Sequence, residues 1–147
     1  METIKITDIA SIDNLRLACK RILKTEDSKG LPRLKGAVKL ILNDDNKLKQ
    51  LSDDICNDTF DPQEPIKVKR IKLNGIIQTV TILMPMDEII FQSFANLIAK
   101  NFYDIVAPFQ ENNSVAFRLH HDVKKDDGEG FFINKGSYVN EFKHEVE

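Results

Sequence analysis

The chain has 147 residues, 41% of them hydrophobic and 30% charged, with a formal net charge of −2. That length suffices for one domain with a real core and is short for two. The slightly acidic balance excludes a uniformly basic nucleic-acid coat, so any contact with nucleic acid has to rest on a local basic surface. No run approaches the roughly 18 apolar residues of a membrane-spanning helix, and Met1-Glu2-Thr3-Ile4-Lys5 lacks a signal peptide's apolar stretch. Cys19 and Cys56 are too few for a disulfide framework. Both fall at apolar positions of helical patterns, which reads as reduced core thiols in a cytoplasmic protein.

The first predicted helix covers residues 11–24, where Leu15, Ala18, Cys19, Ile22 and Leu23 repeat at helical spacing. Arg16, Lys20 and Lys24 form a ridge beside that stripe, with Arg21 nearby; the ridge reads as a solvated face or a phosphate contact. After the breaker cluster of residues 28–32, Leu34, Ala37, Val38, Ile41 and Leu42 resume the spacing. Asn43-Asp44-Asp45-Asn46 then turns the chain and caps a third helix with Leu48, Leu51 and Ile55 inward. Asp61-Pro62-Gln63-Glu64-Pro65 ends this helical third, because each proline drives its predecessor out of the helical region.

The period then changes. Ile66 and Val68 alternate with Lys67 and Lys69, and the pattern resumes one residue out of step at Ile71, which predicts a bulge near Arg70. Asn74-Gly75 predicts a type I′ turn, and Thr79 and Thr81 alternate with Val80 and Ile82 on the return. The hairpin, about 66–83, carries Lys67, Lys69, Arg70 and Lys72, with no acid between Ile66 and Met86. Pro85 closes it, and Asp87 and Glu88 suit the start of a helix. That helix is expected over about 87–106, with Ile90, Phe94, Leu97, Ile98, Phe102 and Ile105 as its apolar positions and Pro108 as its end. Short strands are expected at residues 114–119 and 131–133. A last helix begins near Ser137, with Val139, Phe142 and Val146 in phase, and its lack of a stop signal at Glu147 reads as truncation. The fold class is therefore α+β, a single domain over 1–147.

Carboxylate pairs stand at Asp44-Asp45, Asp53-Asp54, Asp87-Glu88 and Asp126-Asp127. Two-metal chemistry needs acids converging from separate elements, whereas adjacent residues diverge, so these read as caps and solvated charges. His120-His121-Asp122 has ligand chemistry but no further ligand at a sensible spacing, and neighbouring side chains rarely reach one ion. No glycine-rich phosphate loop or activated nucleophile is recognisable.

The order of features is more specific than any one of them. Lys72-x-Asn74-Gly75, a return strand, Asp87-x-Ile89-Ile90 opening a long helix, and Ser114-x-x-Phe117-Arg118 together resemble the fingers region of bacterial reverse transcriptases of the group II intron and retron type. Asn14-Leu15 with Ala18, and Asp58-Thr59-Phe60-Asp61-Pro62, resemble the family's opening helix and the stretch before its hairpin. The likeness covers about residues 11–142. It implies an RNA-directed DNA polymerase as parent, whose Mg²⁺ ions sit on palm aspartates beyond Glu147, so this chain alone binds no metal and is inactive. It also implies an RNA template, a DNA/RNA duplex and a deoxynucleoside triphosphate as partners, with Lys72, Gln78 and Arg118 near the nucleotide and Lys67, Lys69, Arg70, Arg16 and Lys20 toward nucleic acid. Gln78 stands where the family commonly has arginine, and Glu88 replaces another, which suggests a divergent member such as one of the phage-defence sort. The alternative is a free-standing nucleic-acid-binding or regulatory module without catalysis. Self-association is expected through the C-terminal helix, and no membrane contact.

Overall fold

A computed structural model of the chain describes residues 3–25, 34–72, 74–113, 119–125, 128 and 130–132. The fold is α+β. In chain order come α1 (Ile6–Ile9), α2 (Ile12–Lys24), α3 (Lys35–Leu42), α4 (Asp45–Cys56), the hairpin strands β1 (Ile66–Ile71) and β2 (Ile77–Ile82), α5 (Pro85–Asn113), and a 3₁₀ turn (His121–Lys124). Ser11 starts α2 by accepting a hydrogen bond from the Asn14 amide, and Asp44 starts α4 by accepting from Asn46 and Lys47. These are the donors a helix start leaves unpaired.

Leu15, Ala18, Cys19 and Ile22 of α2, Val38 and Ile41 of α3, and Leu48, Leu51 and Ile55 of α4 share one core with Ile89 of α5. The apolar stripes of the first three helices thus point where their spacing predicts. Cys56 is a correction: it sits at the end of α4 and is exposed, while Cys19 is buried. The helix turns left-handed two residues later, at Asp58 (φ 56°), where Thr59 and Phe60 donate back to the Asp54 carbonyl.

The hairpin departs from its predicted form in two linked ways. Its register is unbroken from Ile66 opposite Ile82 to Ile71 opposite Ile77, so no bulge interrupts Arg70. The odd residue lies in the turn instead. Lys72 N–H donates to the Ile76 carbonyl and Gly75 N–H donates to the Lys72 carbonyl, so the loop has three residues rather than the two of a type I′ turn; among its described residues only Gly75 (φ 79°) is left-handed. The Asn74 side chain accepts from Ile76 N–H, which fixes that wider loop.

The long helix also differs. It begins at Pro85 and continues through Pro108 to Asn113. Pro108 removes the bond to the Asp104 carbonyl, but Asp104 and Pro108 lie on an exposed face, where that loss costs least. The inward face of α5 carries Ile89, Ser93, Asn96 and Ala99, whereas the predicted core residues Phe94, Ile98 and Ile105 are exposed. Of the expected strands, the described residues Leu119 and Phe132 form an isolated antiparallel bridge. Residues 114–118, with Phe117 and Arg118, and the expected last helix from Ser137, with its self-association face, lie outside the described residues.

A buried polar network explains the inverted face. Arg21 is 1% exposed. Its guanidinium donates to the Gly128 carbonyl from Nε (2.9 Å) and Nη2 (2.7 Å), and to Asn96 Oδ1 from Nη1 (2.8 Å). Asn96 Nδ2 donates to Asn14 Oδ1, and Asn14 Nδ2 donates to the Ser93 carbonyl across the α2–α5 contact. Phe131 covers the guanidinium, with its ring centre 5.4 Å away. Burial lowers the Arg21 pKa to about 10 while Asp122 opposes that shift, so the group stays charged at neutral pH. Gly128 has no room for a side chain, because a Cβ there would collide with the Asp122 backbone.

Removing Arg21 leaves the buried Gly128 carbonyl without its donors, at roughly 1–3 kcal/mol, and leaves Asn96 Oδ1 with Gln92 Nε2 alone. Arg21→Ala is therefore expected to lower unfolding free energy by about 3 kcal/mol in denaturant titrations. Asn96→Leu combined with it should cost less than the sum of the two single changes, because both belong to one network. Additive effects would show that the two groups act independently.

Candidate nucleic-acid interface

Strict alternation along the hairpin sorts its side chains onto two faces. Lys67, Lys69 and Ile71 stand opposite Thr81, Thr79 and Ile77, and all six are exposed. The other face places Val68 opposite Val80 and Arg70 opposite Gln78, with Val68, Arg70, Val80 and Ile82 half-buried. Lys72 pairs with Ile76 one step further on, so it lies diagonal to Gln78 on Arg70's side. The four cations predicted as one patch are thus divided two and two.

The hairpin is fixed at its root. Gln63 N–H donates to Asp87 Oδ2 at the start of α5, and Phe60, Met86 and Ile90 pack against the core. Beyond that root its main partner is itself. Among the described residues the side chains of Lys67, Lys69, Arg70 and Lys72 make no ion pair or hydrogen bond. Ile71 (72% exposed) and Ile77 (62%) form an apolar pair near the tip.

The remaining predicted positions do not join this surface. Arg16 and Lys20 are on α2, in the helical layer, and Arg16 is engaged by Asp45 at 2.6 Å. Arg118 lies outside the described residues, so its place beside Lys72 and Gln78 is not fixed. Gln78 is exposed and faces Arg70 on the opposite strand.

The carboxylate pairs serve local structure. Asp44 caps α4, Asp45 binds Arg16, Asp54 accepts from the Thr59 hydroxyl, and Asp87 holds the hairpin's incoming strand. Asp126-Asp127 lies outside the described residues. His120, His121 and Asp122 are drawn closer than their adjacency led one to expect: the 3₁₀ turn brings one ligand atom from each within 4.8 Å of the others. His120 Nδ1 accepts from the Asp122 amide at 3.1 Å, and Lys125 Nζ holds Asp122 Oδ1 at 2.9 Å. The Lys125 hydrogen bond, helped by the two histidines, holds the Asp122 carboxyl below the usual range. This cluster closes the turn beside Arg21.

Sequence reading missed a cleft of about 450 Å³ between α1, α2 and α5, lined among others by Asp8, Asp13, Asn14, Arg21, Asn96 and Lys100. The spacing of Asn14 and Arg21, seven apart on the inward face of α2, was its only signal. Its charges are mixed in sign, and it selects no ligand class. No protein-family model, curated protein or solved structure matches this chain.

The two thiols should behave oppositely. Burial pushes the Cys19 thiol up to about 12 against a smaller opposing backbone hydrogen bond, whereas Cys56 is exposed. Only the thiolate is nucleophilic. Alkylation of the native protein near pH 8 should add one adduct, at Cys56, and a second only after denaturation. Mass spectrometry showing two adducts on the native fold at similar rates would contradict the burial of Cys19.

Proposed function

We propose that the hairpin is a nucleic-acid contact, and that the chain serves as the fingers part of an RNA-directed DNA polymerase. The observation that carries the contact is the open hairpin face: Lys67 and Lys69 stand beside Thr79 and Thr81, all exposed and clear of acids. Ammonium and hydroxyl groups are the usual donors to phosphate oxygens, and a two-stranded ribbon fits a nucleic-acid groove. A net charge of −2 over the whole chain means such binding has to rest on a local basic surface, and this face offers one.

The polymerase reading rests on the likeness in motif order, and the order of elements supports it: helices, a hairpin over 66–82, then a long helix from Pro85. Under it, the face with Arg70, Lys72 and Gln78 turns toward the incoming triphosphate, where cations offset the charge of the leaving group. Under the same reading, the metal-binding carboxylates would stand on the parent's palm and would hold Mg²⁺ there.

Salt titration separates the two faces. Each cation that neutralises a phosphate contributes a slope of roughly −0.9 to the plot of log affinity against log salt for B-DNA. Lys67→Ala with Lys69→Ala should flatten that slope on a duplex by about 2. Arg70→Ala with Lys72→Ala should change it less and should instead weaken nucleotide binding in a chain that includes the palm. Equal slopes for wild type and the Lys67/Lys69 variant would mean that this face is merely solvated.

A further inference from the structure

We infer that the outer face of α5 is a self-complementary docking surface for the α5 helix of a second copy of this chain, running antiparallel. Phe91 (65% exposed), Phe94 (45%), Ile98 (38%), Ile105 (52%) and Phe109 (67%) are all on the surface, and Phe102 is half-buried among them. At about 100° per residue, these six positions fall within an arc of roughly 80°, and the stripe is about 27 Å long. It lies on the side of α5 away from Ser93 and Asn96. A surface helix normally places polar residues there.

Three properties of the stripe select its occupant. The first is charge. Between Phe91 and Phe109 the only charged residues are Lys100 and Asp104, and both point roughly 120° or more away from the stripe's centre line. A polyanion or an acidic peptide therefore finds no counter-charge on it. The second is spacing. Steps of three and four residues form the seam of paired helices. Phe91 and Phe109, Ile98 and Phe102, lie at equal distances on either side of residue 100, with Phe94 and Ile105 within one residue of the same symmetry. A two-fold antiparallel pair thus sets Phe91 against the partner's Phe109 and Ile98 against its Phe102, with each contact made twice, as an isologous interface requires.

The third is area. At 150–250 Å² for a whole aromatic side chain, the exposed fractions amount to roughly 400–500 Å² of apolar surface per copy. That is at the upper end of what a monomer exposes in one patch. Two copies reach about 1,000 Å² from these side chains alone, the size at which a specific interface begins. The hairpin cations take no part in the stripe, so this association is separate from the nucleic-acid contact.

The test is sedimentation of the whole chain together with directed disulfide formation. The wild-type chain should sediment as a concentration-dependent dimer, and Ile98→Glu or Phe94→Glu should each make it monomeric with an unchanged circular dichroism spectrum. Both positions are partly exposed, so the fold should tolerate them; if one variant unfolds, the other still decides. In a Cys56→Ser background, Phe91→Cys mixed with Phe109→Cys should give a disulfide-linked dimer on mild oxidation, and neither alone should. A single monomeric species at high concentration would overturn the inference, as would self-linking of Phe91→Cys alone or retention of the dimer by both glutamate variants. Uptake of a monomeric chain by neutral phosphatidylcholine vesicles would also overturn it, assigning the stripe to a lipid surface instead.

Discussion

The position of one guanidinium governs how the helices meet. Arg21 is charged and almost completely enclosed, and its acceptors are the Gly128 and Asp122 carbonyls and the Asn96 amide rather than a carboxylate. Placing an ion among neutral partners is tolerable only when its donors are directed at acceptors of good geometry. That requirement reaches beyond α2. It fixes which side of α5 faces inward, because Asn96 must meet both Arg21 and Asn14, and it holds the segment around Gly128 and Phe131 against the helices. With Ser93 and Asn96 turned in, Phe91, Phe94 and Ile98 are turned out. The exposed apolar stripe is thus a consequence of the buried polar contact.

The hairpin is governed by a different constraint. A two-stranded sheet is marginal in water unless something packs against it. Here the stabilising layer is confined to the root, where Phe60, Met86 and Ile90 meet the helical core and Asp87 holds the incoming chain. Beyond the root the strands carry threonines, lysines and isoleucines into solvent with no acid to neutralise them. Such a ribbon offers charge and hydrogen-bond donors to a phosphate backbone at little structural cost, since none of those side chains is committed elsewhere among the described residues. The two proposed surfaces then separate in space: a basic ribbon at one end of α5 and an apolar stripe along its length.

Much of this was legible in the sequence, for identifiable reasons. The stripes of α2, α3 and α4, the capping of α4 by Asp44, and the hairpin with its glycine turn all follow from local periodicity and local hydrogen bonding. What escaped depended on contacts distant in sequence. α5 is apolar nearly all round, so spacing alone could not say which side faces the core; Asn96 and Ser93 decided it through partners more than seventy residues away. Arg21 reads as a neighbour of the basic ridge of Arg16, Lys20 and Lys24 until Gly128 is brought beside it. The step in the strand pattern at Ile71 was assigned to a bulge, when Asn74 placed the odd residue in the turn by accepting from Ile76. Pro108 was read as a stop, and an exposed helix face absorbs it. Cys56 was read as core from spacing that fails at the last residue of α4.

The central claim is that the hairpin, and in particular its open face, meets nucleic acid. Amide chemical-shift mapping of the isotopically labelled chain during titration with a short RNA–DNA duplex tests it most directly. The account predicts shifts concentrated at residues 66–72 and 76–82, strongest at Lys67, Lys69, Thr79 and Thr81, with the amides of α2, α3 and α4 unmoved. Shifts gathered instead around Arg16 and Lys20 on α2, or around the cleft at Asp13 and Lys100, with the hairpin silent, would contradict it.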